Sequence, residues 1–476
     1  MHLHILGIGG TFMGGLAQLA KASGHRVTGC DTAVYPPMSE QLRLAGIDPI
    51  EGYAADQIAL RPDCFVVGNV VKRGNPLMEA ILDSGAEFTS GPGWLRHNIL
   101  AGRDVLAVAG THGKTTTASM LAWILEYAGA APGFLIGGVP LDFGCTARMG
   151  SVGTGTAFVI EADEYDTAFF DKRSKFVHFF PRIAVLNNLE FDHADIFADL
   201  AAIETQFHHL VRCIRASGRL IVNGADAALA RVLERGCWTA VERFHTPDGW
   251  HAARIDEAGA HEFDVLDGST VHGRLRLPLP GEYNRCNALA AIAAAAAAGV
   301  APPRALEALR TFSGVRRRLE VVGRAAGVTV YDDFAHHPTA IEATLRGLRR
   351  SAAIAPGARL LAVFEPRSNT MRLGSMRSAL VQSLKLADRV FCYAPRAGQR
   401  AVGWDAAEAL RELDGAVVAE DLDVLAACVA EAVHPDDHVV VMSNGGFGGM
   451  PRRILDRLAP QRSASAAGAL AAGAGA

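Results

Sequence analysis

A short apolar segment that runs into a glycine-bracketed Lys-Thr-Thr constrains the fold of this chain more than any other feature. The segment reads VLAVAGTHGKTTT over residues 105–117, and the helix-forming run SMLAWILEYAG follows it after Ala118. Two glycines let backbone N–H groups turn towards phosphate oxygens, while Lys114 offers a cation to the terminal phosphates and Thr115 offers a hydroxyl to Mg2+. The pattern predicts a strand, a loop and a helix, with ATP held by Gly110, Thr111, His112, Gly113, Lys114, Thr115 and Thr116.

The loop is tighter than the usual Walker pattern, because Val108 stands where that pattern has its first glycine. The remaining motif is Gly-x-x-Gly-Lys-Thr. A glycine-rich helix entry with a solvated lysine is the alternative interpretation. The apolar strand pattern before the loop and the helical pattern after it favour phosphate binding.

Length and composition limit the class of protein. A chain of 476 residues predicts two to four domains, and a net charge of −4 without basic runs gives no indication of a nucleic acid partner. Eight cysteines stand apart without a Cys-x-x-Cys pair, so we expect reduced thiols in a cytoplasmic protein. The longest apolar stretch, Ala288 to Ala298, is too short to cross a bilayer, so no membrane role is expected.

Strand and helix patterns divide the chain into three α/β domains with mainly parallel sheets. A Rossmann-like domain is expected over residues 1–100 and a phosphate-loop domain over 101–314. A C-terminal Rossmann-like domain is expected over 315–461, reached through the linker-like SGVRRRLEVVG; GPGWLRHNILAGRD is the expected linker between the first two domains. The Ala- and Gly-rich tail, 462–476, is expected to be disordered.

The N-terminal strand-turn-helix predicts a first ligand site. Its glycines run Gly7-x-Gly9-Gly10-x-x-x-Gly14, and Phe12 takes the place of the third glycine of a dinucleotide fingerprint. An NAD-dependent dehydrogenase, in which Asp31 would bind a ribose of the cofactor, is the alternative interpretation. The glycine spacing does not match that of such enzymes, and this interpretation leaves Lys114 without a role.

Acidic residues follow two further apolar strands, TAFVIEADEYD and RIAVLNNLEFDHADIF. Ligands collect at the carboxyl ends of parallel strands, so these groups are expected near the phosphates. The residues concerned are Glu161, Asp163, Glu164, Asp192 and His193. Thr115, Glu161 and His193 form the best predicted set of Mg2+ ligands, because Mg2+ takes carboxylate and hydroxyl oxygens with occasional imidazole help.

A second polar group ends a strand of the third domain. It comprises Asp332, Asp333, His336 and His337 in VTVYDDFAHHP, and it could supply acid, base or hydrogen-bonding groups to the nucleotide across a cleft. A turn capped by His and Pro is the alternative. Arg317 or Arg318 could reach a γ-phosphate when the domains close, but spacing does not distinguish the two. The alternative is that these arginines only form a solvent-exposed basic face.

The motifs GTHGKTTT, EADEYD, NNLEFDH, GEYNRCN, SGVRRRLE and YDDFAHHP occur in one order. In this the chain resembles the Mur ligase family, ATP-dependent amide-bond-forming enzymes of peptidoglycan synthesis, over nearly all of its length except the tail. The resemblance implies that ATP phosphorylates a lactoyl carboxylate, and that an amine then displaces inorganic phosphate from the acyl phosphate.

The resemblance also implies roles for individual residues. Lys114 and Thr115 would hold phosphate and metal, Glu161 and His193 would bind Mg2+, and Asn284 and Asn287 would contact adenine. From the third domain, Asp332 and one of Arg317 and Arg318 would complete the ATP site, and His336 would handle the proton of the amine. The turn GIGGTFMGG resembles a UDP-binding turn, with substrate contacts at Gly9, Gly10, Thr11, Phe12 and Asp31.

Segments such as DTAFFDKRSKFVHFFPR, FEPRSNTMRLGSMR and MSNGGFGG resemble one branch of the family. That branch joins UDP-N-acetylmuramate to the murein tripeptide L-alanyl-γ-D-glutamyl-meso-diaminopimelate in cell-wall recycling. Arg367 at a strand end offers a planar partner for the tripeptide carboxylates. The alternatives are a ligase that adds L-alanine to the same sugar nucleotide, and a non-catalytic nucleotide-binding module.

Two departures from the family pattern are visible. Tyr283 stands where many members have a histidine before the first adenine-side asparagine, a change that preserves stacking. Several members use a carbamylated lysine to bridge two metals, but no lysine occurs between Lys175 and Lys385. The absence of a lysine that could be carbamylated favours the muramate-ligase branch, whose members also lack this lysine.

Overall fold

The computed structural model describes residues 1–256, 261–351, 354–355, 357–396 and 401–459. The tail expected to be disordered, 462–476, lies outside the described residues. The chain forms two compact units, Met1–Arg318 with Glu342–Ala353 and Leu319–Ile341 with Ile354–Ala476.

The first unit begins with a five-stranded sheet in the order β3-β2-β1-β4-β5, in which all neighbours are parallel. Its central strands are almost wholly buried, as expected for a parallel sheet covered by helices on both faces. The strands are β1 (His2–Leu6), β2 (Arg26–Asp31), β3 (Ile50–Glu51), β4 (Cys64–Val67) and β5 (Phe88–Ser90). The helices are α1 (Thr11–Ala22), α2 (Met38–Leu44), α3 (Pro76–Ser84) and α4 (Gly91–Leu95), with a 3-10 helix at Ala55–Leu60.

The segment predicted as the first linker contains a helix that its sequence pattern did not indicate. Helix α4 continues into a π-helical turn, Arg96–Leu100. The Ser90 side chain accepts a hydrogen bond from Gly93 N and caps the helix, and Trp94 and Leu95 are buried. Capping and burial thus outweigh the low helix propensity of glycine and proline in this stretch.

A ten-stranded sheet follows in the order β17-β16-β15-β14-β13-β12-β6-β9-β7-β8. Its middle is parallel, whereas β15 to β17 and the β7–β8 pair add antiparallel edges. The strands are β6 (Asp104–Ala109), β7 (Gly133–Leu135), β8 (Ala147–Arg148), β9 (Ala157–Glu161), β12 (Ile183–Leu186), β13 (Arg219–Asn223), β14 (Ala240–Phe244), β15 (Trp250–Ala253), β16 (Glu262–Asp267) and β17 (Thr270–Arg276). A separate antiparallel hairpin is formed by β10 (Asp166–Ala168) and β11 (Asp171–Ser174).

Five helices accompany this sheet: α5 (Lys114–Tyr127), α6 (Leu200–Arg212), α7 (Ala227–Glu234), α8 (Glu282–Ala297) and α9 (Pro302–Arg310). A short 3-10 helix covers Lys175–His178. The alanine-rich helix α8 is buried on nearly every side from Asn287 to Ala295, which explains its lack of amphipathic periodicity. It packs closely on α5, the helix that follows the phosphate loop.

The second unit contains a six-stranded sheet in the order β18-β19-β23-β20-β21-β22, with only the β18–β19 pair antiparallel among its described strands. The strands are β18 (Glu320–Ala325), β19 (Val328–Asp333), β20 (Leu360–Phe364), β21 (Arg389–Tyr393), β22 (Val417–Ala419) and β23 (His438–Met442). The helices are α11 (Asn369–Leu373), α12 (Arg377–Leu384), α13 (Ala406–Leu410), α14 (Leu422–Ala432) and α15 (Met450–Leu458), and α10 (Pro338–Arg349) begins in this unit.

Strand β18 corrects the second linker prediction, because it occupies the latter half of SGVRRRLEVVG. Its residues are exposed or half-buried, as in an edge strand, so the apolar pattern of a core strand is missing. The α/β fold class with mainly parallel sheets is confirmed. All eight cysteines are free, and no helix in the described ranges is long and apolar enough to span a membrane.

Candidate functional site

The phosphate loop connects β6 to α5 as predicted, and a neighbouring strand end holds it in place. Gly110 and Gly113 adopt φ angles of +145° and +78°. Thr111 N donates to Asn188 O at 3.0 Å, and His112 N donates to Asn188 Oδ1 at 2.7 Å. Thr116 is buried in the first turn of α5. The parallel pairing of β6 with β12 therefore fixes the loop.

Lys114 is half-buried and ion-paired, with 12% of its side chain exposed. Its Nζ donates to Gly110 O at 2.6 Å and to Glu164 Oε2 at 2.9 Å. Burial alone would lower the pKa of Lys114, but nearby carboxylates, chiefly Glu164, outweigh it and raise the pKa above its ordinary value. The loop therefore presents a permanent cation.

Thr115 and the predicted metal ligand Glu161 are in direct contact. Thr115 Oγ1 donates to Glu161 Oε1 at 3.0 Å, and Gly137 N donates to the other carboxylate oxygen at 2.7 Å. Arg318 Nη2 donates to the same threonine hydroxyl at 2.9 Å. Spacing did not distinguish Arg317 from Arg318, but this contact puts the Arg318 guanidinium at the phosphate loop. Arg317, the residue before it, has a φ of +60°.

His193 joins the cluster through Glu164. Its Nε2 donates to Glu164 Oε1 at 3.1 Å, and its ring lies 4.2 Å from that of Tyr165. Burial alone would lower the pKa of His193, but the bond to Glu164 outweighs it and raises the pKa. The three predicted metal ligands thus fall into two pairs, Thr115 with Glu161 and His193 with Glu164. Their oxygen and imidazole donors suit Mg2+ in kind.

Glu164 is the functional residue to which sequence reasoning gave no role. It was expected near the phosphates, but nothing in EADEYD indicates that its side chain joins Lys114 to His193. Lys175 is a second such residue. It is buried, forms a 2.9 Å ion pair with Asp163, and lies 5.9 Å from the ring of Phe12 in the N-terminal turn.

The two asparagines predicted for adenine are buried at the start of α8. Asn287 Oδ1 accepts from Thr117 Oγ1 at 3.1 Å and from Asn187 Nδ2 at 3.0 Å, so it supports the loop from behind. Asn284 Nδ2 donates to Pro280 O at 2.7 Å.

In the N-terminal turn, Asp31 holds the backbone. Gly9 N donates to Asp31 Oδ2 at 2.9 Å, and Tyr53 Oη donates to the other oxygen at 3.3 Å. Gly10 and Thr11 are exposed where α1 begins, and the Phe12 ring stacks on Phe179 at 6.3 Å.

The remaining predicted residues lie at strand ends of the second unit. Asp332 is half-buried within β19, and its neighbour Asp333 accepts backbone bonds from Leu319 N and Ala335 N. His336 Nδ1 pairs with Phe334 O at 2.9 Å. The Arg367 guanidinium follows β20 and lies directly against Gly445, where a Cβ would leave it no room.

Known proteins resemble the whole chain. Sequence profiles of three Mur ligase segments match it: "Mur ligase family, catalytic domain" at residues 2–103, "Mur ligase middle domain" at 108–295, and "Mur ligase, glutamate ligase domain" at 317–445. The UDP-N-acetylmuramate–L-alanyl-γ-D-glutamyl-meso-2,6-diaminoheptandioate ligase of Escherichia coli K12 is 52% identical over 98% of this chain and 100% of its own.

A crystal structure of a murein peptide ligase from Psychrobacter arcticus is 44% identical, with a TM-score of 0.76 and coverage of 97% of this chain and 99% of its own. The UDP-N-acetylmuramate–L-alanine ligase of Acidothermus cellulolyticus is 34% identical over 96% of this chain and 94% of its own. Together with the phosphate loop and the acidic strand ends, these similarities establish that the chain belongs to the Mur ligase family.

Proposed function

We propose that the protein is an ATP-dependent ligase that joins UDP-N-acetylmuramate to L-alanyl-γ-D-glutamyl-meso-diaminopimelate. The observation that carries the proposal is the ion-paired Lys114, held in a phosphate loop beside the Thr115–Glu161 and Glu164–His193 pairs. The relative named for the tripeptide reaction and the one named as a murein peptide ligase support this substrate, since they are 52% and 44% identical against 34% for the L-alanine ligase.

The chemistry explains why ATP is needed. A carboxylate resists attack by an amine because oxide is a poor leaving group, whereas phosphate leaves readily once its charge is held. In the proposed reaction a lactoyl carboxylate oxygen attacks the γ-phosphorus and ADP leaves. The peptide amine then attacks the acyl carbon, loses a proton, and releases inorganic phosphate. Lys114 and Arg318 would hold phosphate oxygens during both steps.

Mg2+ is proposed at Thr115, Glu161 and His193, and when bound it neutralises charge on the phosphates. Further proposed contacts are adenine at Asn284 and Asn287, and the sugar nucleotide at the Gly9–Phe12 turn with Asp31. Asp332 and His336 keep the roles that family resemblance implies, and Arg318 rather than Arg317 takes the role of the arginine at the phosphates. Domain limits of 1–100, 101–314 and 315–461 and a cytoplasmic location, where ATP and nucleotide sugars are found, complete the proposal.

A phosphate-release assay tests the peptide assignment. The enzyme receives ATP, Mg2+ and UDP-N-acetylmuramate with either the tripeptide or L-alanine. We expect release that depends on the tripeptide. Release with L-alanine alone would establish the second candidate instead, and no release with either would favour a non-catalytic nucleotide-binding module.

A further inference from the structure

Two adjacent strand ends in the second unit carry a buried carboxylate, Glu365, and an amide side chain, Asn444. Strands β20 and β23 are parallel neighbours in which Phe364 pairs with Met442, so the residues that follow them, Glu365 and Ser443, lie side by side. Ser443 Oγ donates to Glu365 Oε2 at 2.8 Å. The next residue after Ser443 is Asn444.

Each of these two side chains leaves one buried acceptor unsatisfied. Glu365 is 4% exposed, and its Oε1 has no hydrogen-bond partner within the described ranges. Asn444 Oδ1 is also buried and, in the same ranges, unpartnered. Buried acceptors are nearly always paired, because leaving one unpaired destabilises the fold, and more so for a charged group. Two such acceptors, one of them anionic, call for a ligand with several donors and a positive charge. An ammonium group has three donors and that charge.

A guanidinium belongs to the same pair of strand ends. Arg367 is two residues beyond Glu365, and its side chain lies against Gly445, whose N–H donates to Ser443 Oγ at 3.0 Å. A planar guanidinium is the preferred partner of a carboxylate. One small region therefore combines acceptors suited to an ammonium group with a donor suited to a carboxylate.

We propose that Glu365, Asn444 and Arg367 form a receptor for an amino-acid zwitterion. Glu365 and Asn444 accept from the ammonium group, and Arg367 donates to the carboxylate on the same carbon. This inference rests on the proposed function, whose tripeptide has one centre with both groups free, the distal end of meso-diaminopimelate. The nucleophilic amine of L-alanine does not fit the receptor, since the neighbouring carboxyl group is tied up in an amide.

Peptides that differ only at the terminal residue test this assignment. The series ends in meso-diaminopimelate, in 2-aminopimelate, which lacks the distal ammonium group, or in L-lysine, which lacks the distal carboxylate. For the wild-type enzyme we expect kcat/KM to fall roughly tenfold to hundredfold on loss of either group, as charged hydrogen bonds predict. In Glu365→Gln the ratio between the diaminopimelate and 2-aminopimelate peptides should fall close to one. In Arg367→Met the ratio of kcat/KM between the diaminopimelate and lysine peptides should likewise fall close to one.

Glu431→Gln is the matched control, since Glu431 is an exposed glutamate of the same unit, and it should keep the wild-type ratios. Asn444→Ala provides a second variant and should reduce the same ratio as Glu365→Gln, though by less. An unchanged ratio in both variants would overturn the receptor, and so would an equal loss with all three peptides. Wild-type enzyme that joins none of the peptides would instead contradict the proposed function itself, together with the receptor that rests on it.

Discussion

Glu164 links two residues that the proposed reaction needs for different purposes. It contacts the loop cation Lys114 and the proposed metal ligand His193, and it is almost fully buried. Burial alone would raise the pKa of Glu164, but Lys114 and then His193 outweigh it and lower the pKa, so the carboxylate stays ionised. In the absence of nucleotide it balances the charge of Lys114, a role that ATP phosphates would take over.

Glu164→Gln should therefore weaken the nucleotide-free protein and make nucleotide more stabilising. Breaking a buried ion pair costs roughly 3 kcal/mol of unfolding free energy, because the remaining charge is uncompensated. A non-hydrolysable ATP analogue should restore part of this loss, so the rise in Tm on adding it should exceed the wild-type rise. Thermal melts with and without the analogue measure both effects. Glu126→Gln, which breaks the more exposed Arg148 pair next to the same helix, is the control, and an equal rise in all three proteins would contradict this role.

His4 gives the N-terminal sheet a predicted sensitivity to acid. It is fully buried between Thr28 and Gln57, and burial lowers its pKa from 6.5 to about 4. Below pH 6.5 the unfolded chain takes up this proton before the folded chain does. Stability should therefore fall as the pH drops from 6.5 to 4, by about 3 kcal/mol from this group, and the contribution should level off below that range.

Urea unfolding of the wild type and of His4→Gln at several pH values measures the contribution. The variant should lose less stability between pH 6.5 and 4.5 than the wild type, whatever its stability at pH 7. Parallel pH profiles for the two proteins would mean that His4 does not titrate as its burial requires.

At the level of single residues, sequence predicted which side chains gather at the site but not how they pair. Glu161 ends β9, His193 follows β12 and Thr115 lies in the first turn of α5, and the patterns of these elements are visible in sequence. The pairing of Lys114 with Glu164, 50 residues away, and of Thr115 with Arg318, 203 residues away, depends on side-chain direction after folding. Local spacing carries no information on such contacts.

At the level of elements, the phosphate loop depends on close packing behind its second glycine. Gly113 has a φ of +78°, and a Cβ there would lie 2.4 Å from Asn287 Oδ1 and 2.7 Å from Asn187 Nδ2. Gly129, at the other end of α5, has a similar φ of +85° but no neighbouring atom within 4 Å. The two glycines share the backbone requirement and differ in the space around them.

Gly113→Ala should therefore lose more than Gly129→Ala. Left-handed backbone alone costs about 1 kcal/mol for alanine, whereas the buried collision must also displace the Asn187–Asn287 hydrogen bond. We expect Gly113→Ala to lower Tm further and to abolish binding of the ATP analogue, with Gly129→Ala retaining it. Calorimetric titration and thermal melts decide the matter, and equal behaviour of the two variants would contradict this explanation of the loop.

Elements buried on both faces were predictable, and those at edges were not. The apolar runs of β6, β9, β12, β19, β20 and β23 identified parallel core strands, as observed. The antiparallel strands β15 to β17 and the edge strand β18 were missed because most of their residues are exposed or only partly buried, and because they lack a continuous apolar run. Helix α4 was missed because its glycines and proline suggest a loop, whereas its stability comes from the Ser90 cap and tertiary burial.

At the scale of the whole molecule, each of the three sheets ends in residues suited to one part of a ligase reaction. The first sheet presents the Gly9–Phe12 turn, the second presents Lys114 with the acidic pairs, and the third presents Glu365 with Arg367. In the first unit, Phe12 of the N-terminal turn packs near Phe179 and Lys175, and Lys175 is ion-paired with Asp163 beyond the end of β9. The order of sheets along the chain was predictable, whereas these contacts required the fold.

The transfer of a carboxylate oxygen to phosphate tests the central claim, activation of a muramyl carboxylate by the phosphate loop. UDP-N-acetylmuramate is prepared with a heavy oxygen isotope in both positions of its lactoyl carboxylate and is incubated with ATP, Mg2+ and the tripeptide. Mass spectrometry then analyses the inorganic phosphate and the amide product. The acyl-phosphate route predicts one heavy oxygen in each phosphate released and one in each amide formed. Amide product accompanied by unlabelled phosphate would contradict it.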